Sequence, residues 1–392
     1  MHTVGLSLRK VSSLVGYSSL YEYEDFIQDV SVSSLVEIDP QDYQAIENSR
    51  RVYKALRQLD RSRITGNFLS RKFIPKDPKF QIIGDSTLFL PTFNNPYELF
   101  SLQAVEGWRD RCRYAVCYIN EVWESDLKKC TYLLELLRDF DYIFIGLHHG
   151  VESLSKLVGK PCAYLPIGID ALKFCAYTSN EPFRSINVCN IGRRSDITHR
   201  ALMGLAIQNH IFYYYDTIAS QNVTNAAKQI TFSVKSPKQH RLLLANLLKR
   251  SRYFIVNRAF VNDPSRTGGQ SEIPSRFFEG AAAGTVMIGE PPNTQIFQEY
   301  FGWDDAIIQV PFDAPHIGEV ILELEAQPER VAAIRRTNTI NALLKHDWLH
   351  RLQVVYDALD LPASEKMQER AKQISNLVDH IHQLAVPSSI YV

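Results

Sequence analysis

The sequence predicts an α/β chain built of two doubly wound halves followed by a helical C-terminal tail, and three observations carry that expectation. Short apolar runs rich in β-branched and aromatic residues recur along the chain, among them Tyr114–Ile119, Tyr142–Leu147, Ile186–Ile191 and Tyr253–Asn257. Helical stretches separate nearly all of them, the pattern of parallel strands covered on both faces. Near Phe174–Arg184 the alternation stops at the polar, Pro-containing AYTSNEPFRS, a linker composition, and then begins again. The expected divisions are 1–180, 181–346 and 347–392.

The elements follow in order. Leu35–Ile38 reads as a strand, and Asp39-Pro40 offers an N-cap and first-turn pair for a helix whose apolar positions are Tyr43, Ile46, Tyr53, Leu56 and Leu59. Phe80–Ile83 and Leu88–Leu90 are apolar runs, a helix is expected over Tyr97–Arg111, and Tyr114–Ile119 is a buried strand. Asp126–Leu137 reads helical, Tyr142–Leu147 extended, Val151–Val158 helical and Ala163–Ile167 extended. The second series runs through a strand at Ile186–Ile191, a helix over Thr198–Gln208, a strand at Ile211–Tyr215 and a helix over Gln239–Lys249. Tyr253–Asn257 is the next strand. The turn-rich Asp263–Ser271 leads to Pro274 in a first helical turn, to Gly284 as a left-handed stop, and to the strand Thr285–Ile288. After a strand at Ala306–Val310 the chain is helical through Ile317–Ala326, Pro328–Leu344, Trp348–Leu359 and Ser364–Ala385.

Composition excludes several classes. Of 392 residues, 45% are hydrophobic and 22% charged, as in ordinary globular domains, and Lys+Arg and Asp+Glu balance at 43 each, which argues against nucleic acid as a partner bound through a basic surface. The six cysteines lack CxxC spacing and several lie in apolar runs, so they read as buried thiols rather than zinc ligands. No apolar run reaches the ~18 residues of a membrane span and MHTVGLSLRK has no signal core, so a cytoplasmic protein is expected, with peripheral membrane contact left open.

The strand–glycine loop–helix–strand unit over Tyr253–Glu290 aims backbone N–H groups and a helix dipole at one point, the geometry that suits a phosphate. Doubly wound sheets bind ligands at the carboxyl ends of their strands, and the expected site is the cleft facing both halves.

Four segments, in this order, resemble a glycosyltransferase of the GT-B type, in the retaining group 1-like branch with two Rossmann-like doubly wound domains and a C-terminal helical crossover that the fourth segment would start. They are DYIFIGLHHGVESLSKLVGKPCAYLPIGIDALKF, INVCNIGRR, SEIPSRFFEGAAAGTVMIGE and HDWLHRLQVVYDAL, spanning roughly residues 141–360. The resemblance implies sugar transfer from a nucleotide diphosphate sugar to a saccharide or other hydroxyl acceptor, with retention of anomeric configuration. It implies Glu279 on the donor ribose hydroxyls, for which a carboxylate is suited because it accepts from two neighbouring groups. Arg193 or Arg194 would stabilise the diphosphate leaving group, with Arg258 and Arg276 as second candidates and the backbone near Ser271–Ser275, including Ser275, completing the anion site. The family commonly places two glutamates eight positions apart. Here Glu272 precedes Glu279 by seven, either because the loop is locally shorter or because Glu272 is a solvated side chain.

On the acceptor side, Glu121 follows a strand and is a candidate base or acceptor ligand, or equally a capping or solvated loop residue. His149, paired with His148 at another strand end, is a candidate proton relay or a structural residue. No metal is expected: Asp139-Phe140-Asp141 reads as capping and solvation, and Asp304-Asp305 lack companion ligands, leaving arginine and helix dipole to hold the diphosphate without any cofactor. The competing readings are a nucleotide-sugar epimerase of the same architecture and a non-catalytic binding or assembly module.

Overall fold

All strand pairings in the two sheets are parallel among the described residues, which explains why the strands read as unbroken apolar runs. The computed structural model describes residues 2–59, 87–105, 107–177, 183–216 and 233–384. The expected strand at Phe80–Ile83 lies outside them, as do residues 178–182 of the linker.

The chain divides into a unit of residues 1–167 with 352–367 and a unit of residues 168–351 with 368–392, whereas the sequence alone places the first boundary at 180 and treats 347–392 as one tail. The first unit holds β1 (His2–Ser7), β2 (Val32–Glu37), β3 (Thr87–Phe89), β4 (Thr92–Phe93), β5 (Tyr114–Ile119), β6 (Tyr142–Ile145) and β7 (Cys162–Tyr164). Their order is β2-β1-β3-β5-β6-β7, with β4 also pairing β5. Ala115, Cys117, Ile119, Ile143 and Ile145 meet Leu133, Leu137 and Leu154 in its core.

The second unit holds β8 (Ile186–Asn190), β9 (Tyr213–Tyr215), β10 (Ser251–Ile255), β11 (Val286–Gly289) and β12 (Ile308–Gln309), ordered β12-β11-β10-β8-β9. From the β9 edge this is the 2-1-3-4-5 order of a doubly wound sheet, whose direction of winding reverses between β8 and β10. Val188, Tyr253, Ile255, Val286 and Ile288 pack against Leu202, Ile317, Val331 and Ile334 from the flanking helices. Burying each aliphatic side chain of this kind stabilises the fold by about 1.5–3 kcal/mol.

Helices are where the structure departs from the sequence reading. Tyr97–Arg111 is not one α-helix: a 3-10 segment covers Pro96–Ala104, a short second one Arg109–Arg111, and Gly107 between them has φ +65°. Pro96, Glu98, Leu99, Phe100, Ser101 and Leu102 are all buried, so this segment has no one-sided apolar stripe to favour a 3.6-residue period. Asp126–Leu137 likewise breaks into Glu124–Leu127, Thr131–Leu134 and Glu135–Asp139. The expected Gly284 stop is present, at φ +62°, where a side chain would run into Thr339.

Two N-terminal elements carry no clear sequence signal. The strand β1, next to the edge strand β2, is half Thr, Gly and Ser, yet it pairs along all six residues with β2. The Ser18–Val30 helix buries Glu22 and Glu24, which interrupt its apolar period. Burial of Glu24 is compensated by hydrogen bonds from Ser7 Oγ at 2.6 Å, Thr92 Oγ1 at 2.7 Å and Arg9 Nη2 at 2.8 Å.

Candidate active site

The point where the second sheet reverses its winding gathers most of the predicted donor residues. Strand β8 runs out through Ile191 into Gly192, whose φ of +88° turns the chain and whose N–H donates to Asp216 Oδ2 at 2.9 Å. Glycine is required there for a second reason. Arg276 Nε donates to the Ile191 carbonyl at 2.7 Å, and a side chain on residue 192 would collide with the Arg276 guanidinium.

The two consecutive arginines part company. Arg194 Nη1 donates to the Asp216 carbonyl at 2.6 Å and to its Oδ1 at 2.7 Å, with its guanidinium 5.3 Å from the centre of the Tyr215 ring, so it ties the ends of β8 and β9 together. Arg193 is exposed, donates to Asn262 Oδ1 at 2.9 Å and stacks 4.5 Å from the centre of Phe260. Arg258 donates to Glu290 Oε1 at 2.8 Å, while Glu290 Oε2 accepts from the Phe312 N–H. That pairing joins the ends of β10 and β11.

The Ser275–Ala282 helix carries Glu279. It begins with Pro274 as the cap residue rather than inside the first turn, and Ser275 is its first residue, one turn before Glu279. Glu279 is 2% exposed and its Oε1 accepts from Nη1 of Arg241, itself 3% exposed, on the Pro237–Lys249 helix. Burial alone would push the Glu279 carboxyl up. The nearby Arg241 and Arg276 outweigh it and hold the carboxyl below its ordinary value, so it is a carboxylate at neutral pH. Its Oε2 is buried and meets no donor at good hydrogen-bond geometry among the described residues, although the Ser275 hydroxyl lies near enough to lower the carboxyl further. Such an oxygen keeps acceptor capacity, and a bound hydroxyl would use it. Glu272 is also 2% exposed, which excludes the solvated reading of that residue.

In the first unit, the carboxyl ends of the neighbouring strands β5 and β6 bring Glu121 and the His148-His149 pair to one edge. The Glu121 N–H donates to the Asn94 carbonyl at 2.8 Å, and its side chain is half-buried. His148 and His149 are exposed, with ring centroids 5.8 Å apart, and His148 meets Tyr164 edge-on at 5.4 Å. Asp141 accepts from Arg109 at 2.7 Å and from the Ala115 N–H at 2.8 Å, whereas Asp305 is paired with Arg330. Among the described residues no three His, Cys, Asp or Glu side chains gather as metal ligands.

Sequence reasoning did not find Arg241, Phe260, Asn262 or Arg266 near these positions, nor the buried Glu98 in the first unit. Glu98 Oε2 accepts from the Asn94 N–H at 2.7 Å, and burial pushes its carboxyl up to about 7. Phe260, Asn262 and Arg266 lie inside the Tyr253–Glu290 unit without any signature of their own, and Arg241 and Glu98 lie outside any contiguous motif. Arg241 in particular meets a partner 38 positions away, which no local period signals.

Comparison with known proteins bears on the fold and on one segment of the second unit. Residues 230–357 match the family described as glycosyl transferase-like. An alpha-glucosyltransferase solved with UDP and a 13-mer DNA containing an HMU base superposes with a TM-score of 0.52 at 11% identity, covering 92% of this chain and 99% of that one. An alpha-glucosyltransferase solved with UDP-glucose and DNA containing an abasic site gives a TM-score of 0.50 at 11% identity over the same shares. A search of curated proteins finds no match. The fold is of the GT-B type seen in those alpha-glucosyltransferases. The segment that matches the glycosyl transferase-like family contains Glu279, Arg241 and the whole loop between β10 and the Ser275–Ala282 helix.

Proposed function

We propose that the protein transfers a sugar from a nucleotide diphosphate donor to a hydroxyl acceptor, with retention of configuration and without a metal ion. The observation that carries this reading is Glu279: a buried carboxylate, kept ionised by Arg241 and Arg276, with one oxygen that no donor meets at good geometry, on the helix that follows the loop after β10. A ribose presents two adjacent hydroxyls, and a carboxylate that accepts only is the matching partner. Arg193, exposed at the end of β8, faces the developing charge of the departing diphosphate, where a fixed guanidinium stabilises the transition state more than the ground state. Arg276 supports the turn that carries Arg193, whereas Arg194 and Arg258 hold strand ends in place.

The acceptor is assigned to the first unit, with Glu121 and His149 as its candidate base and proton relay. The retaining outcome is tested by the anomeric configuration of the product in NMR. The fold neighbours were solved with UDP or UDP-glucose, which makes UDP the first nucleotide to try. A thermal-shift panel of UDP, GDP, ADP and TDP tests donor binding: one of them raises Tm, and Glu279→Ala weakens that rise. A flat response to the whole panel favours a binding or assembly module. Conversion of a nucleotide sugar into its epimer without acceptor favours the epimerase. No described helix is long and apolar enough to cross a membrane.

A further inference from the structure

We infer that Arg266, which no motif marks, forms with Arg193 a two-guanidinium jaw mounted on Phe260 that selects a diphosphate over a single phosphate. This rests on the donor reading above and adds the residue that would set its phosphate specificity. The guanidinium carbons of Arg193 and Arg266 lie 4.5 Å and 4.3 Å from the centre of the same Phe260 ring. The two arginines come from different places in the chain. Arg193 follows β8, while Arg266 belongs to the Pro264–Thr267 turn in the loop after β10, so the ring joins them where the sheet reverses its winding.

The ring is held in a costly conformation. Among the described residues, the non-glycine positions with positive φ are Asn209, Asp305, Asp360 and Phe260, the last at +49°. Asn and Asp tolerate that region, whereas a bulky aromatic residue there is an outlier, and such strain concentrates at ligand clamps. The Asp263 N–H donates to the Phe260 carbonyl at 2.8 Å, and Asp263 Oδ1 accepts from the Arg266 N–H at 3.3 Å, fixing the turn that presents Arg266.

Two like charges on one ring repel each other. Burial pushes the Arg193 guanidinium down, Asp263 opposes this, and the nearby Arg266 lowers it further. An anion able to span both would remove that repulsion. Two neighbouring phosphoryl groups can present an oxygen to each guanidinium, whereas one phosphate engages the pair less completely. Arg193 and Arg266 are binding residues in this account, and Phe260 is a positioning residue.

The test uses inorganic pyrophosphate and inorganic phosphate as probes, titrated by calorimetry into the full chain, and so does not depend on the identity of the base. The wild type is expected to bind pyrophosphate at least about tenfold more tightly than phosphate. Arg193→Ala and Arg266→Ala should each lower pyrophosphate affinity about ten- to a hundredfold with Tm unchanged, because both side chains are exposed. Phe260→Leu should lose the pyrophosphate preference and Phe260→Trp should keep it, a split that a merely structural ring would not give. Equal affinity for the two probes, or pyrophosphate binding untouched by Arg266→Ala, overturns the inference. If UDP binding depends on Glu279 while pyrophosphate ignores Arg266, the jaw alone is wrong. If pyrophosphate obeys both arginines and no nucleoside diphosphate binds, the donor reading falls and the anion site stands.

Discussion

Replacing Arg241 with Met tests how the buried Glu279 carboxylate is tolerated. Both side chains are almost fully enclosed, at 3% and 2% exposed, and the Arg241 guanidinium also stacks 4.8 Å from the centre of the Phe174 ring. Met keeps most of the apolar stem, so the main loss is the charge. Removing one partner of a buried pair costs about 3–5 kcal/mol, because the other charge is left uncompensated. For a unit of this size each kcal/mol moves Tm by about 2–4 °C, which predicts a fall of roughly 10 °C in the transition of the second unit. The pH dependence distinguishes charge from packing. In the wild type the Glu279 carboxyl is held below its ordinary value, so its contribution is present at neutral pH and is lost as pH falls through that lowered value. In Arg241→Met only Arg276 and Ser275 are left to oppose burial, so the carboxyl rises relative to wild type, and a proton taken up on acidification relieves the penalty. The gap between variant and wild type, followed by thermal melts from pH 8 to pH 5, should therefore shrink, and Glu279→Gln placed on Arg241→Met should recover most of the loss. A gap of constant size across that range, or a double variant as unstable as the two losses added, refutes the reasoning.

Three further outcomes follow from the same geometry. The Glu98 carboxyl, raised by burial to about 7, holds a proton in the folded chain that the unfolded chain releases near 4.5. Its stabilisation is complete below that value and lost as pH rises through about 7, so the advantage of Glu98→Gln over wild type in thermal melts should grow by about 3 kcal/mol between pH 4.5 and pH 8. Gly192→Ala should destabilise by about 1–3 kcal/mol and also weaken nucleotide binding, because it strains a φ of +88° and displaces Arg276; denaturant melts and calorimetry measure the two effects separately. Arg370 donates to Asp347 at 2.9 and 2.7 Å and to Asp170 at 2.7 Å. Burial alone would raise the Asp170 carboxyl, but Arg370 and Lys173 hold it at about 2, so its contribution is present above its ordinary range and lost as pH falls through about 2. Arg370→Met should therefore shift the acid-unfolding midpoint upward by about one pH unit, as read by circular dichroism.

The residues that sequence alone could place are those whose role follows from a contiguous pattern. Gly192-Arg193, the Ser275–Ala282 helix and the Gly284 stop are legible because a strand end, a helix start and a left-handed turn each leave a local signature. Pattern could not separate Arg193 from Arg194, since their difference lies in Asp216 and Phe260, which reach them only through the fold. Arg241 reads as one polar residue in a leucine-rich helix until the Glu279 helix is packed against it. The strand β1 and the Ser18–Val30 helix were hidden for a related reason. Their polar residues, Ser7 and Glu24 among them, satisfy one another inside the fold, so hydropathy understates how deeply both elements are buried.

The central claim is that Glu279 receives the donor ribose. The most direct measurement compares, by calorimetry, the nucleoside diphosphate giving the largest thermal shift with its 2′,3′-dideoxy analogue, on wild type and on Glu279→Gln. The account predicts that wild type prefers the ribose form by about ten- to a hundredfold and that Glu279→Gln loses most of that preference. A preference of equal size in both proteins, or no nucleoside diphosphate binding at all, would contradict it.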